Sequence, residues 1–315
     1  MDMKGSIAAI KDAITKSTAE RTSPEVISAA YAVVYLIGGV LLASARLLGA
    51  AGPFGMAAVA ASGAGLNGVA ALIGAAIGYI ISCGLAGSIR YLAAIVLVYT
   101  ISFAFQDTKF ASKSVFAPAT AAVSALSTGI LSSFTSVFTQ APAAAVVLID
   151  TVFSFGGCWF FREAMSGRER TTESEELRYA GSVLITAAVL LMAVSQIEIF
   201  GAISLGRLVA VLIVMTCTLR CGIMTGCTIG TAFGIAMDLT AGGMPFYTMA
   251  YAFAGLLSGM FNRHGRLLFL LSFIIANAAA VACAWAFRQE TGALFEVFAA
   301  LVIFLLLPSG FLSRA

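Results

Sequence analysis

From Ile27 to Leu307 the chain alternates apolar runs with short islands that hold nearly all of its charges. The runs are roughly 15–25 residues long, the length a helix needs to cross a bilayer. They are continuous, without the every-second-residue alternation that marks a transmembrane barrel. Of the 315 residues 60% are hydrophobic and 10% charged, too little polar surface to cover a soluble domain of this size. The expectation is an all-α polytopic helical membrane protein, with the lipid bilayer as its first partner.

Residues 1–26 differ in kind, with Lys4, Lys11, Lys16 and Arg21 among acids and Ile7, Ile10 and Ile14 on one helical face. They read as a cytoplasmic amphipathic segment lying on the membrane. Ser23-Pro24-Glu25 has the composition of a helix start. The membrane domain then covers 27–308, in two halves, 27–162 and 179–308, joined by the polar loop 163–178. Residues 54–66 with 67–84, and 204–219 with 221–238, are short apolar pairs that either cross fully or re-enter. The expected count is ten to twelve membrane-spanning segments. Residues 309–315 form a tail, expected to begin a linker to a further domain.

Placing the N-terminus inside and alternating sides puts fourteen lysines and arginines inside and four outside, namely Arg46, Arg90, Arg207 and Arg288. This positive-inside bias predicts that both termini are cytoplasmic.

The densest motif is G-I-M-T-G-C-T-I-G-T-A-F-G, with Gly222, Gly226, Gly230 and Gly234 at every fourth position and Asp238 next on the stripe. In water each mid-helix glycine costs about 1 kcal/mol relative to alanine. In lipid such a helix survives, and its groove admits a neighbouring backbone. The stripe reads as a packing face, or else as the wall of a substrate path. Gly74 with Gly78, and Gly255 with Gly259, repeat the spacing. The order of segments lets Gly74 and Gly78 correspond to Gly230 and Gly234, as an internal duplication would.

Candidate chemistry is sparse. Six cysteines lie in or beside apolar runs without a C-x-x-C pair, and the single histidine, His264, lies in the turn N-R-H-G-R. Neither supplies a metal ligand set, so no metal site and no cofactor are expected. No phosphate loop or nucleophile elbow occurs, and the net charge of +3 follows from the inside loops, without nucleic acid as a partner. Four polar residues remain as intramembrane candidates: Asp150, Asp238, Asn277 and Arg220. Asp150 lies inside V-V-L-I-D-T-V-F-S-F. It is either a functional or packing-critical charge, or a neutral acid bonded to a nearby serine, threonine or Asn277. Asp238 and Glu296 are expected to be hydrated near helix ends, and Arg220 to reach the cytoplasmic interface.

Several stretches together resemble a family: G-P-F-G-M-A from Gly52, G-R-L-V-A-V-L from Gly206 and the glycine stripe. So do A-F-A-G-L-L-S-G-M-F with G-R-L-L-F from Ala252 to Phe269, and the terminal L-L-L-P. Over nearly its whole length the chain is similar to the N-terminal membrane region of stage II sporulation protein E, a septal phosphatase of endospore formers. The resemblance implies about ten spans, cytoplasmic ends and a following metal-dependent serine phosphatase domain. That domain acts on a phosphorylated anti-anti-sigma factor and so activates a sporulation sigma factor. Its catalytic residues are not in this sequence, so the chain itself is expected to be no enzyme. It would serve as anchor, self-association and septal-localisation module in the bacterial cell membrane, a homo-oligomer meeting cell-division proteins. The alternative is a small-solute or ion transporter, favoured by Asp150, Asn277 and the broken short pairs.

Overall fold

The computed structural model describes residues 24–134, 144–167, 171–199, 203–241, 245–286 and 293–306. Six helices come first: α1 (Pro24–Ser44), α2 (Phe54–Ser62), α3 (Leu66–Phe105), α4 (Phe116–Phe134), α5 (Ala144–Ala164) and α6 (Glu173–Val194). The strands β1 (Glu198–Ile199) and β2 (Ile203–Ser204) follow, and then α7 (Leu205–Cys221), α8 (Ile223–Ala241), α9 (Phe246–Met260), α10 (Arg266–Ala286) and α11 (Ala293–Leu306). The strands pair antiparallel, Glu198 opposite Ser204. The all-α expectation holds apart from this short ladder.

The count of spans does not hold. Among the described residues five helices, α3, α5, α6, α8 and α10, are long and apolar enough to cross a membrane, against the ten to twelve expected. An apolar run reports hydrophobicity and says nothing of where the helix within it stops. Helices α2 and α9 have 9 and 15 residues, about 13 and 22 Å of rise against a hydrocarbon core of about 30 Å. The 17 residues of α7 include Arg207 and Arg220, and the 19 of α4 include six serines and threonines. The apolar stretches of α1 and α11 are also short, Ser28–Ser44 and Leu294–Leu306. The N-terminal amphipathic segment, Ser23, the tail and both termini lie outside the described residues.

Short apolar helices are stable here because other helices surround them. In α2 the residues from Phe54 to Ala60 are all buried, against α1, α3, α4 and α5. A helix apolar on every side belongs in such a place. Helix α3 is folded back on itself at Gly84 (φ 68°, ψ 170°). The Tyr99 hydroxyl donates to the Ala64 carbonyl at 3.1 Å, a pair that a straight helix would hold about 50 Å apart. Gly222 (φ 92°, ψ −171°) makes the same kind of corner between α7 and α8. Only glycine takes this backbone region readily. Gly222 is therefore a joint and not the first member of a four-glycine helical stripe.

The remaining glycines carry close helix contacts. A Cβ at Gly230 would lie 2.5 Å from the Tyr251 carbonyl, one at Gly234 2.4 Å from Thr248 Cα, and one at Gly255 2.5 Å from the Gly226 carbonyl. Gly226 itself faces Thr218 across the corner, and Gly259 faces Ile223. The face of α8 is thus filled by α9 of the same chain. Gly74 and Gly78 do the same work on α3, where added carbons would meet the Leu36 and Val40 carbonyls of α1. They contact a preceding helix, whereas Gly230 and Gly234 contact a following one, so the two pairs are not equivalent in the fold.

Helix α6 packs on α1 and α5 on one side and on α7 and α8 on the other, and so joins two helix groups. At one end of the bundle lie the 45–53 loop, the Gly84 corner, β1–β2 and the starts of α5, α7, α9 and α11. The other end gathers Lys109, Lys113, Arg162, Arg178, Arg220, Arg263 and Arg266. There Arg162 donates to the Ser114 carbonyl and Arg178 pairs with Glu163.

Candidate functional site: two buried arginine–carboxylate clusters

The loop from Ala45 to Pro53 turns the chain from α1 into α2 within the protein, so its backbone polar groups need protein partners. Leu47 and Ala51 bridge each other. Arg46 donates to the Ser82 and Ala50 carbonyls at 3.1 and 3.3 Å, and the Leu48 N–H donates to the Leu239 carbonyl at 2.7 Å. The Gly52 N–H and the Ala50, Gly52 and Pro53 carbonyls are bound by one side-chain cluster.

Asp150, in the second turn of α5, is 1% exposed. Its Oδ2 receives Arg90 Nη2 at 2.5 Å and its Oδ1 receives the Gly52 N–H at 3.0 Å. Tyr91 Oη accepts from the same Gly52 N–H (3.1 Å) and from Arg90 (2.6 Å), and points its own proton at the Ala50 carbonyl or at Asp150 (3.2 and 3.3 Å). Tyr79 stacks on Tyr91 with ring centroids 4.7 Å apart. Its hydroxyl donates to the Gly52 carbonyl at 2.5 Å and accepts the Met56 N–H at 3.1 Å. Ser154, one turn along α5, donates to the Pro53 carbonyl. Both Gly52 and Gly55 lie against Tyr79, where an added carbon would come within 3.2 and 2.6 Å of it. The stretch G-P-F-G-M-A is therefore shaped to lie on two tyrosines and to be held by one carboxylate. Two charges removed from water need this much bonding, because the pair's attraction alone seldom offsets desolvation.

A second cluster lies at the same end. Glu296, in the first turn of α11, is 1% exposed. Its Oε1 accepts from Arg207 Nη1 at 3.4 Å and from the Ser204 N–H at 3.2 Å. The Arg207 guanidinium lies 4.7 Å from the centroid of the Tyr247 ring, which packs on Tyr251. Asp238 completes the group as a cap: it accepts the Tyr247 and Thr248 N–H groups, both at 2.8 Å, and the Thr248 hydroxyl. It stabilises the start of α9 as a carboxylate stabilises any helix N-terminus.

Of the four intramembrane candidates, Asp150 and Asp238 fall in these clusters. Asn277 does not, since its amide donates to the Phe273 carbonyl within α10. Arg220 is exposed at the far end of α7. Asp150 pairs with Arg90, and Glu296 is buried where a hydrated helix end was expected. Arg46, Arg90 and Arg207, taken as outer loop charges, are all bound inside the protein. The sequence reading overlooked Arg90, Arg207 and the four tyrosines. The available signal was an arginine within six residues of a glycine corner or a helix start, one for each acid in an apolar segment.

The described cysteines are free, and no three histidines, cysteines or acids gather to hold a metal among the described residues. Beside the first cluster an apolar recess of about 440 Å³ opens between α5, α6 and α8, lined by residues such as Phe153, Val189 and Ile235. Comparison with protein-family models, curated proteins and solved structures finds no match to this chain.

Proposed function

We propose that this chain is a membrane-embedded scaffold, the anchor, self-association and septal-localisation module of a sporulation serine phosphatase. The observation that carries the scaffold reading is the bonding of Asp150. Its two oxygens are taken by Arg90, the Gly52 N–H and Tyr91, and these bonds fix the turn from α1 into α2. A solute or proton path needs a carboxylate with a face left open to its cargo. The recess beside Asp150 is lined by apolar side chains, which suits lipid more than a solute. The phosphatase and the septum are carried by the resemblance in G-P-F-G-M-A and the glycine-rich stretches. Since α9 occupies the glycine face of α8, self-association uses another surface.

The test is to express the chain with a fluorescent tag in an endospore former and to reconstitute it in vesicles. Concentration at division septa, with cross-linking between copies, is the expected outcome. An even distribution around the cell, together with a solute or proton flux in the vesicles, would replace this reading with the transporter.

A further inference from the structure

The two arginine–carboxylate clusters differ in one respect. Around Asp150 no buried side-chain atom of Asp150, Arg90, Tyr79, Tyr91 or Ser154 lacks a partner, and Arg46 Nε in the adjoining loop is the one buried orphan among the described residues there. Around Glu296 three buried atoms have none among the described residues: Glu296 Oε2, the Tyr251 hydroxyl and Arg207 Nε. Buried polar atoms without partners are uncommon and destabilising, and three together call for an explanation. Their chemistry is complementary. Tyr251 and Arg207 Nε offer two donors, and Glu296 Oε2 is an acceptor. A water molecule accepts two hydrogen bonds and donates two, so its bonding capacity matches this set of two donors and one acceptor.

The charges nearby are unbalanced. Among the described residues Arg207 on α7 is the one cation facing Glu296, while Asp238 on α8 and Glu198 on β1 add negative charge. Tyr247 and Tyr251 face it from α9, and β2 contributes the Ser204 N–H. Helix α10 also packs on α11, but its Arg266 lies at the far end, donating to the Phe304 carbonyl, and its Cys283 is exposed. A cluster that holds, among the described residues, more acids than bases and a carboxylate oxygen without a partner is suited to taking up a proton.

We propose that Glu296, Tyr251 and Arg207 form an internal proton-binding site around one bridging water, with Glu296 Oε2 as the group that is protonated. On uptake a solvent hydronium gives its proton to Oε2 and is left as water, a carboxylic acid replaces the carboxylate, and the bridging water turns to accept from the new O–H and to donate to the Tyr251 oxygen. The neutral acid attracts Arg207 and the Ser204 N–H less, so the proton loosens the junction of β2 and α7 with α11. The proposal does not depend on the anchor reading.

The experiment is pH-difference infrared spectroscopy of the full chain in lipid nanodiscs, with the glutamate side-chain carboxyls carbon-13 labelled. Exposed glutamates contribute equally to wild type and Glu296→Gln and cancel between them. The expected result is a carboxylic-acid band that grows as the pH falls, is missing from Glu296→Gln and moves in frequency in Tyr251→Phe. A labelled band unchanged by Glu296→Gln, or no such difference anywhere in the folded pH range, would overturn the site. Should Glu296→Gln fail to fold, Tyr251→Phe decides alone: an unmoved glutamate band removes the tyrosine-linked site.

Discussion

Asp150 and Arg90 are worth far less as a pair than either costs when left alone. Asp150→Ala leaves a guanidinium that is 13% exposed without its counter-charge, and it leaves the Gly52 N–H with the Tyr91 hydroxyl alone. The expected loss is about 3–5 kcal/mol, read as a lowered unfolding midpoint in detergent. Replacing both residues together by apolar ones of similar volume, Asp150→Leu with Arg90→Met, should recover much of it. A double variant no better than Asp150→Ala would mean that the backbone bonds to Gly52 matter more than the ion pair. The acid was legible in the sequence because a charge inside V-V-L-I-D-T-V-F-S-F stands out. Its partner was not, because Arg90 is 60 residues away and abuts an apolar segment as a loop arginine would. Glu296 was misplaced for a related reason: a helix start looks hydrated until the elements that cover it are known.

At the level of whole elements the glycine spacing pointed to a shared helix face and missed the corner at Gly222. Periodicity reports which residues share a face of a helix that continues, and nothing in the spacing announces that Gly222 stops it. What separates a packing glycine from an idle one is the atom facing it. Gly230→Ala puts a carbon against the Tyr251 carbonyl and is expected to destabilise by about 1–3 kcal/mol. Gly181→Ala on α6 meets nothing within 4 Å and should be neutral or stabilise by up to about 1 kcal/mol. Thermal melts of the two variants side by side are the check, and equal midpoints would remove the distinction. The span count failed at this same scale: α2 is apolar because other helices enclose it, which hydropathy does not distinguish from lipid.

For the molecule as a whole, the two ends of the bundle differ in how they hold charge. One binds its arginines inside. The other presents Lys109, Lys113, Arg178 and Arg263 around its turns. Single cysteines in place of Ser112 and Ser174, both exposed at the basic end, should therefore react with an impermeant thiol reagent from the same side of the membrane. One in place of Glu198, exposed on β1, should react only from the other. Labelling of Ser112→Cys and Glu198→Cys from one side would contradict this arrangement.

The ion pairs also bear on how such a chain is made. Arg90 leaves the ribosome 60 residues before Asp150, and Arg207 leaves 89 residues before Glu296. At about 5–20 residues per second, each guanidinium waits on the order of 3–18 seconds for its carboxylate. During that interval α3 and α7 each hold a charge that the nascent chain cannot yet neutralise. Neither pair can form until α5 or α11 arrives, so the final packing around the two arginines waits on later helices and does not follow the order of synthesis.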